Sequence, residues 1–141
     1  MLIEEGYRYD SSLMPVRRPG YGYRDGAPDM HWLLRRAGWL LELPPTTLGV
    51  LGQRVPAGGG AYLRLFPPAL LRAAFRDCER RGESGTLYVH PWELDPDQPR
   101  FDVPWWTKIR HYGGLARAEE RLERLLNEFQ FGPIASCPEL Q

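Results

Sequence analysis

Three histidines, two cysteines and scattered carboxylates are the residues of this chain that could move a proton or hold a metal. His31, His90 and His111 lie far apart, with neither HxH nor HxxxH spacing, and Cys78 and Cys137 form no CxxC pair. A zinc site usually needs three protein ligands or more, so the expectation is that this chain holds no metal of its own. His90 is the candidate for chemistry, because it ends the apolar run Thr86-Leu87-Tyr88-Val89-His90 and Pro91 closes it. In parallel α/β architectures active sites are built at the C-terminal ends of strands. An imidazole there can protonate a leaving group near neutral pH. From position alone, a histidine that ends a strand and satisfies a loop carbonyl explains His90 too. His111 could reach the same cleft or pack on Tyr112, and His31, before Trp32-Leu33-Leu34, reads as structural or exposed. Trp92, Trp105 and Trp106 offer indole faces for sugar rings, or seal a loop, with packing favoured for the last two. Glu93 and Asp95 could be an acid–base pair, although a turn and its caps account for them equally.

The elements that must position these residues can be read along the chain. Tyr7 to Ser12, Leu40 to Leu43 and Gln53 to Ala57 read as short strands, and the Pro-, Gly- and Arg-rich stretch Pro15 to Pro28 as an irregular loop. Ala61 to Phe66 alternates like a strand. Pro67-Pro68 then opens a helix with Leu70, Leu71, Ala74, Phe75 and Cys78 on one face and Gly82 as its C-cap. Thr86 to His90, β-branched and aromatic, reads as the strongest strand, followed by a long loop carrying the three tryptophans. A last helix carries Leu115, Ala118, Leu122, Leu125, Leu126 and Phe129 along one stripe, with Glu120 and Arg124 paired outside it. Phe131 to Ala135 could return as a strand. Strand–helix–strand–helix–strand implies a parallel α/β layer in one domain, residues 1–141. A full β/α barrel needs at least ~200 residues, so the layer would be part of a barrel or a small open sheet.

Bulk properties exclude some partners. Eighteen basic residues balance 18 acidic ones, so no global field favours nucleic acid or an anionic membrane. Seventeen of those bases are arginine, a bias that codon usage explains more simply than anion recognition. Glycine and proline, 15 and 14 residues, make the chain loop-rich without reaching low complexity. Cys78 on a helix's apolar face reads as a buried thiol. No apolar run approaches membrane-spanning length, and the start lacks a secretory pattern, so a cytoplasmic location is expected.

The run Leu87-Tyr88-Val89-His90-Pro91-Trp92-Glu93-Leu94-Asp95-Pro96 resembles the last motif of NodB-type polysaccharide deacetylases, carbohydrate esterase family four. The closest likeness is to the exosortase and exopolysaccharide-locus subfamily. Glu5 to Ser12, Gly58 to Leu65, Arg110-His111-Tyr112 and Leu122 to Phe131 resemble further elements of it, in order. The resemblance implies a partial (β/α) barrel of NodB type, its C-terminal strands and helices only. It implies hydrolysis of N-acetyl groups from amino sugars of a polysaccharide or oligosaccharide. In that family a divalent metal, usually zinc, activates water, and the strand-end histidine, here His90, protonates the departing amine.

By the same resemblance Leu87 would line the acetyl pocket, and Asp10 lies near the fourth motif, where some relatives use an aspartate to tune the base. Trp92, adjoining His90, could bind substrate by stacking on a sugar ring or could seal the loop. The family's aspartate–tryptophan form of the motif around Asp10 is missing here. The metal-binding motifs lie upstream in the family and have no counterpart in this sequence. The expectation is therefore an enzyme fragment, truncated and inactive alone. The alternatives are a non-catalytic carbohydrate-binding or accessory module, and a homo-oligomer formed through exposed sheet edges.

Overall fold

The computed structural model describes residues 1–17 and 22–141. Residues 18–21, inside the loop expected from Pro15 to Pro28, lie outside the described residues. The N-terminal half is β-structure. Strands β1 (Tyr9–Asp10), β2 (His31–Arg35) and β3 (Gly38–Glu42) form a sheet in the order β1-β3-β2. β2 and β3 are an antiparallel hairpin, whereas β1 runs parallel to β3 with Asp10 beside Glu42. β4 (Thr47–Val50) and β5 (Gln53–Pro56) make a second hairpin. Its turn residues, Leu51 and Gly52, have φ of 48° and 75°, as the tight primed turns of hairpins require. The remaining elements are helical: α1 (Gly60–Leu65), α2 (Pro68–Arg81), α3 (Trp105–Tyr112) and α4 (Ala118–Glu128).

Helix α2 follows from its sequence. Proline at its first position gives up no hydrogen bond, since that N–H would have no helical partner. Leu71, Ala74, Phe75 and Cys78 recur every three or four residues and are buried. Gly82 then takes φ 71° and its N–H caps the Cys78 and Glu79 carbonyls. The stripe meets α4, where Phe75, Leu125 and Phe129 form a core cluster against which Leu87 packs. A second cluster, Leu41, Leu43 and Leu140, ties β3 to the C-terminal segment. Burial raises the Cys78 thiol above its ordinary value, which keeps it protonated and inert.

Outside that core, the Glu128 carboxylate bridges Arg72 and Arg76, each at 2.6 Å, and so ties α4 to α2. Arg72 first, then Arg76, holds the Glu128 carboxyl below its ordinary value of 4.5. A carboxyl lowered by folding adds stability above its unfolded value and loses it as pH falls through the folded one. Glu128→Gln should therefore lower the urea midpoint at neutral pH, and the gap should close as pH falls below about 4.5. A gap that stays constant with pH would show that the pair contributes nothing.

Several expectations change. The fold is mixed α/β with two small sheets and no closed barrel among the described residues. Ala61 to Phe66 is not a strand but belongs to α1 and its C-cap, because Leu63 and Arg64, adjacent in sequence, are both buried. A strand would have sent them to opposite faces. Thr86 to His90 is extended but makes no ladder: its one bridge is Tyr88 to Gly59, in parallel. The strand that should have flanked it is helical instead. Phe131 to Ala135 gives way to a 3₁₀ turn at Ile134–Ser136. The expected long tryptophan loop contains a 3₁₀ turn at Pro91–Leu94 and then α3. β2 and β4 were not foreseen. Among the described residues, no helix is long and apolar enough to cross a membrane.

Candidate functional site

The centre of the site is a buried ion pair. Arg64 of α1 and Glu93 of the Pro91–Leu94 turn meet at 3.3 Å, with side chains 1% and 4% exposed. Both the Nε and an Nη of Arg64 donate to the same oxygen, Glu93 Oε1. Oε2 faces the other way: it accepts the backbone N–H of His90 at 3.0 Å and lies 3.3 Å from His90 Nδ1. The remaining Arg64 donors reach the carbonyls of Arg110, His111 and Gly113 at the end of α3. One guanidinium thus ties together α1, the His90 turn and α3, as its planar fork of five donors permits.

Glycines make room for this. A side chain at Gly60 would overlap the Glu93 carboxylate, and one at Gly114 the Arg64 carbonyl. At Gly58 it would run into the Thr86 carbonyl and the Thr46 backbone. Thr46 holds the segment before His90 from that side: its N–H and hydroxyl donate to the Thr86 carbonyl, and its hydroxyl oxygen accepts the Thr86 N–H.

Aromatic rings rise from this base. His111 stacks on Trp92 at 4.4 Å and 12°, and Tyr112 meets His111 edge-on at 4.7 Å. His90 lies 6.1 Å from Trp92 and 5.6 Å from Tyr88. Arg64 sits 5.1 Å from the Trp92 ring centre. The His90 side chain remains 56% exposed. Beyond Tyr112 a shallow groove of about 600 Å³ is lined by Arg100, Phe101, Asp102, Lys108 and Ile109.

The structure brings His90, Trp92 and His111 together. His111 both joins the cleft and packs on Tyr112. One Trp92 face is taken by His111, and the residue as a whole is 36% exposed. Trp105 and Trp106, expected to pack, are 68% and 60% exposed. Leu87 turns toward Phe75, Leu125 and Phe129, and His31 lies on β2 with Nδ1 donating to the Asp29 carbonyl at 2.8 Å. Asp10, on β1, accepts from the Ser11 N–H and the Ser12 hydroxyl. Arg64 was missed, and Glu93 was left between an acid–base pair and a turn with its caps. Glu93 carried a signal, three residues after an N-cap position with proline between, which is capping-box spacing. Arg64 carried none.

The sequence profile described as "Domain of unknown function (DUF3473)" matches residues 11–138. The chain belongs to the DUF3473 family. No curated protein and no solved structure matches it. In this DUF3473 chain the match spans β2 to β5, the ion pair, the aromatic rings and α4, and begins just after β1. Among its described residues no group of three or more His, Cys, Asp or Glu could hold a metal ion. The described residues do not suit the zinc that the NodB resemblance implies.

Proposed function

We propose that this chain forms the C-terminal, general-acid-bearing part of a NodB-type polysaccharide deacetylase, its strands and helices completing a barrel whose metal is held by a different segment. The observation that carries this reading is His90. Its imidazole is more than half exposed, yet its backbone and ring are both tied to a buried carboxylate, 6.1 Å from the Trp92 ring. A fixed ring open to solvent can deliver a proton to an amine leaving group. The partly exposed rings of Tyr88 and Trp92, with the groove beyond Tyr112, suit an oligosaccharide of N-acetyl amino sugars.

The test combines binding and turnover. N-acetylglucosamine oligomers should perturb the NMR signals of His90 and Trp92. The 141-residue protein should release no acetate from them, with or without added zinc. Unperturbed signals at both residues would remove the sugar reading. Zinc-dependent acetate release by this chain alone would overturn the placement of the metal elsewhere. The exposed Trp105–Trp106 pair, rings 5.9 Å apart, favours a second reading, carbohydrate binding without chemistry. Under it, Trp105→Ala would abolish binding and His90→Ala would not.

A further inference from the structure

We propose that Glu93, its charge compensated by Arg64, is the positioning residue that fixes His90 in the Nδ1–H tautomer and leaves Nε2 as the proton-delivering atom. This rests on the reading of His90 as a general acid. The support is the division of labour between the two carboxylate oxygens. Oε1 takes the Arg64 contacts, and Oε2 takes His90, by backbone N–H and by ring. The backbone bond is the capping contact of the Pro91–Leu94 turn, and the ring contact is the one that bears on the tautomer. An ionised carboxylate only accepts, so Nδ1 must carry the hydrogen that faces it. The tautomer of a histidine is set by the hydrogen bond its other nitrogen makes.

The arrangement then balances in the reaction. Water adds to the acetyl carbonyl carbon and loses a proton to solvent. The C–N bond of that oxyanion adduct then breaks as C=O re-forms, and its electron pair goes to nitrogen. The Nε2 proton of the imidazolium moves to that nitrogen, releasing acetic acid and the amine. The imidazole left behind is neutral and keeps Nδ1–H on Glu93. Burial protects the device: the Glu93 side chain is 4% exposed, and Gly60 leaves it room. Water does not compete freely for Oε2, so the ring keeps its orientation between turnovers.

Long-range ¹H–¹⁵N spectra of the 141-residue protein, taken on the alkaline side of imidazole titration, test this directly. His31, whose Nδ1 donates to a carbonyl, is the internal standard for the Nδ1–H pattern. Wild-type His90 should show that same pattern. Glu93→Gln, whose amide can donate to Nδ1, should shift it to Nε2–H and leave His31 unchanged. His90 in the Nε2–H form in the wild-type protein overturns the proposal, as does an unchanged tautomer in a folded Glu93→Gln. If that variant does not fold, the wild-type spectrum decides alone. Loss of sugar binding at His90 would remove the deacetylase reading and leave the tautomer result standing, so the two failures are distinguishable.

Discussion

Replacing Arg64 with methionine should destabilise the protein by about 3–5 kcal/mol, because it leaves the Glu93 charge buried without a partner. The same change strips donors from the carbonyls of Arg110, His111 and Gly113, so α3 loses its anchor as well. The decisive comparison is with the double variant Arg64→Met/Glu93→Leu. Two apolar residues of similar volume remove the uncompensated charge, and replacing a whole buried pair in this way is often neutral. The double variant should therefore recover a large part of the loss in urea unfolding, although not the anchor of α3. A double variant no more stable than Arg64→Met would show that the carbonyl contacts, rather than the ion pair, carry the energy. A loss below ~1 kcal/mol for Arg64→Met would show that water reaches Glu93.

Phe75→Ala should cost a similar amount, about 3–5 kcal/mol, by a different route. Phe75 is 4% exposed and packs on Phe129 at 5.6 Å and Phe131 at 5.7 Å. Gly85 presses so closely on its ring that an added side chain there would collide with it. Truncation opens a cavity that the helices on either side cannot close without shifting. Leu87 rests on the same cluster, so the cavity lies directly beneath the segment leading to His90. Leu126→Ala, at a position 48% exposed, is the control and should cost far less. If the two substitutions cost the same, the cluster around Phe75 is not the core that it looks to be.

The parts of the fold legible in the sequence are those whose cause is local. α2 and α4 could be read because an apolar stripe at helical period lies within one stretch of chain, closed in α2 by the Gly82 cap. The hairpin strands β3 and β5 were found for similar reasons, bounded by proline or glycine. Ala61 to Phe66 misled because alternation over six residues also fits a short helix with two adjacent buried positions, and only α4 and Glu93 decide between them. Thr86 to His90 has strand propensity, but a ladder needs a neighbour, and the chain beside it had become α1. Of the site, His90 and Trp92 were visible through their motif. Glu93 was left between an acid–base pair and a turn because its burial depends on a partner 29 residues earlier in the chain. His111 was left between two roles and fills both, which no single segment could reveal.

Arg64 reaches across 29 residues to Glu93 and up to 49 to the end of α3. It cannot release one partner without disturbing the others' geometry. The His90 turn and the C-terminal end of α3 therefore open as one cooperative unit, and their amide protons should exchange with solvent together. Freedom gained at one ring of the site is freedom gained at the others.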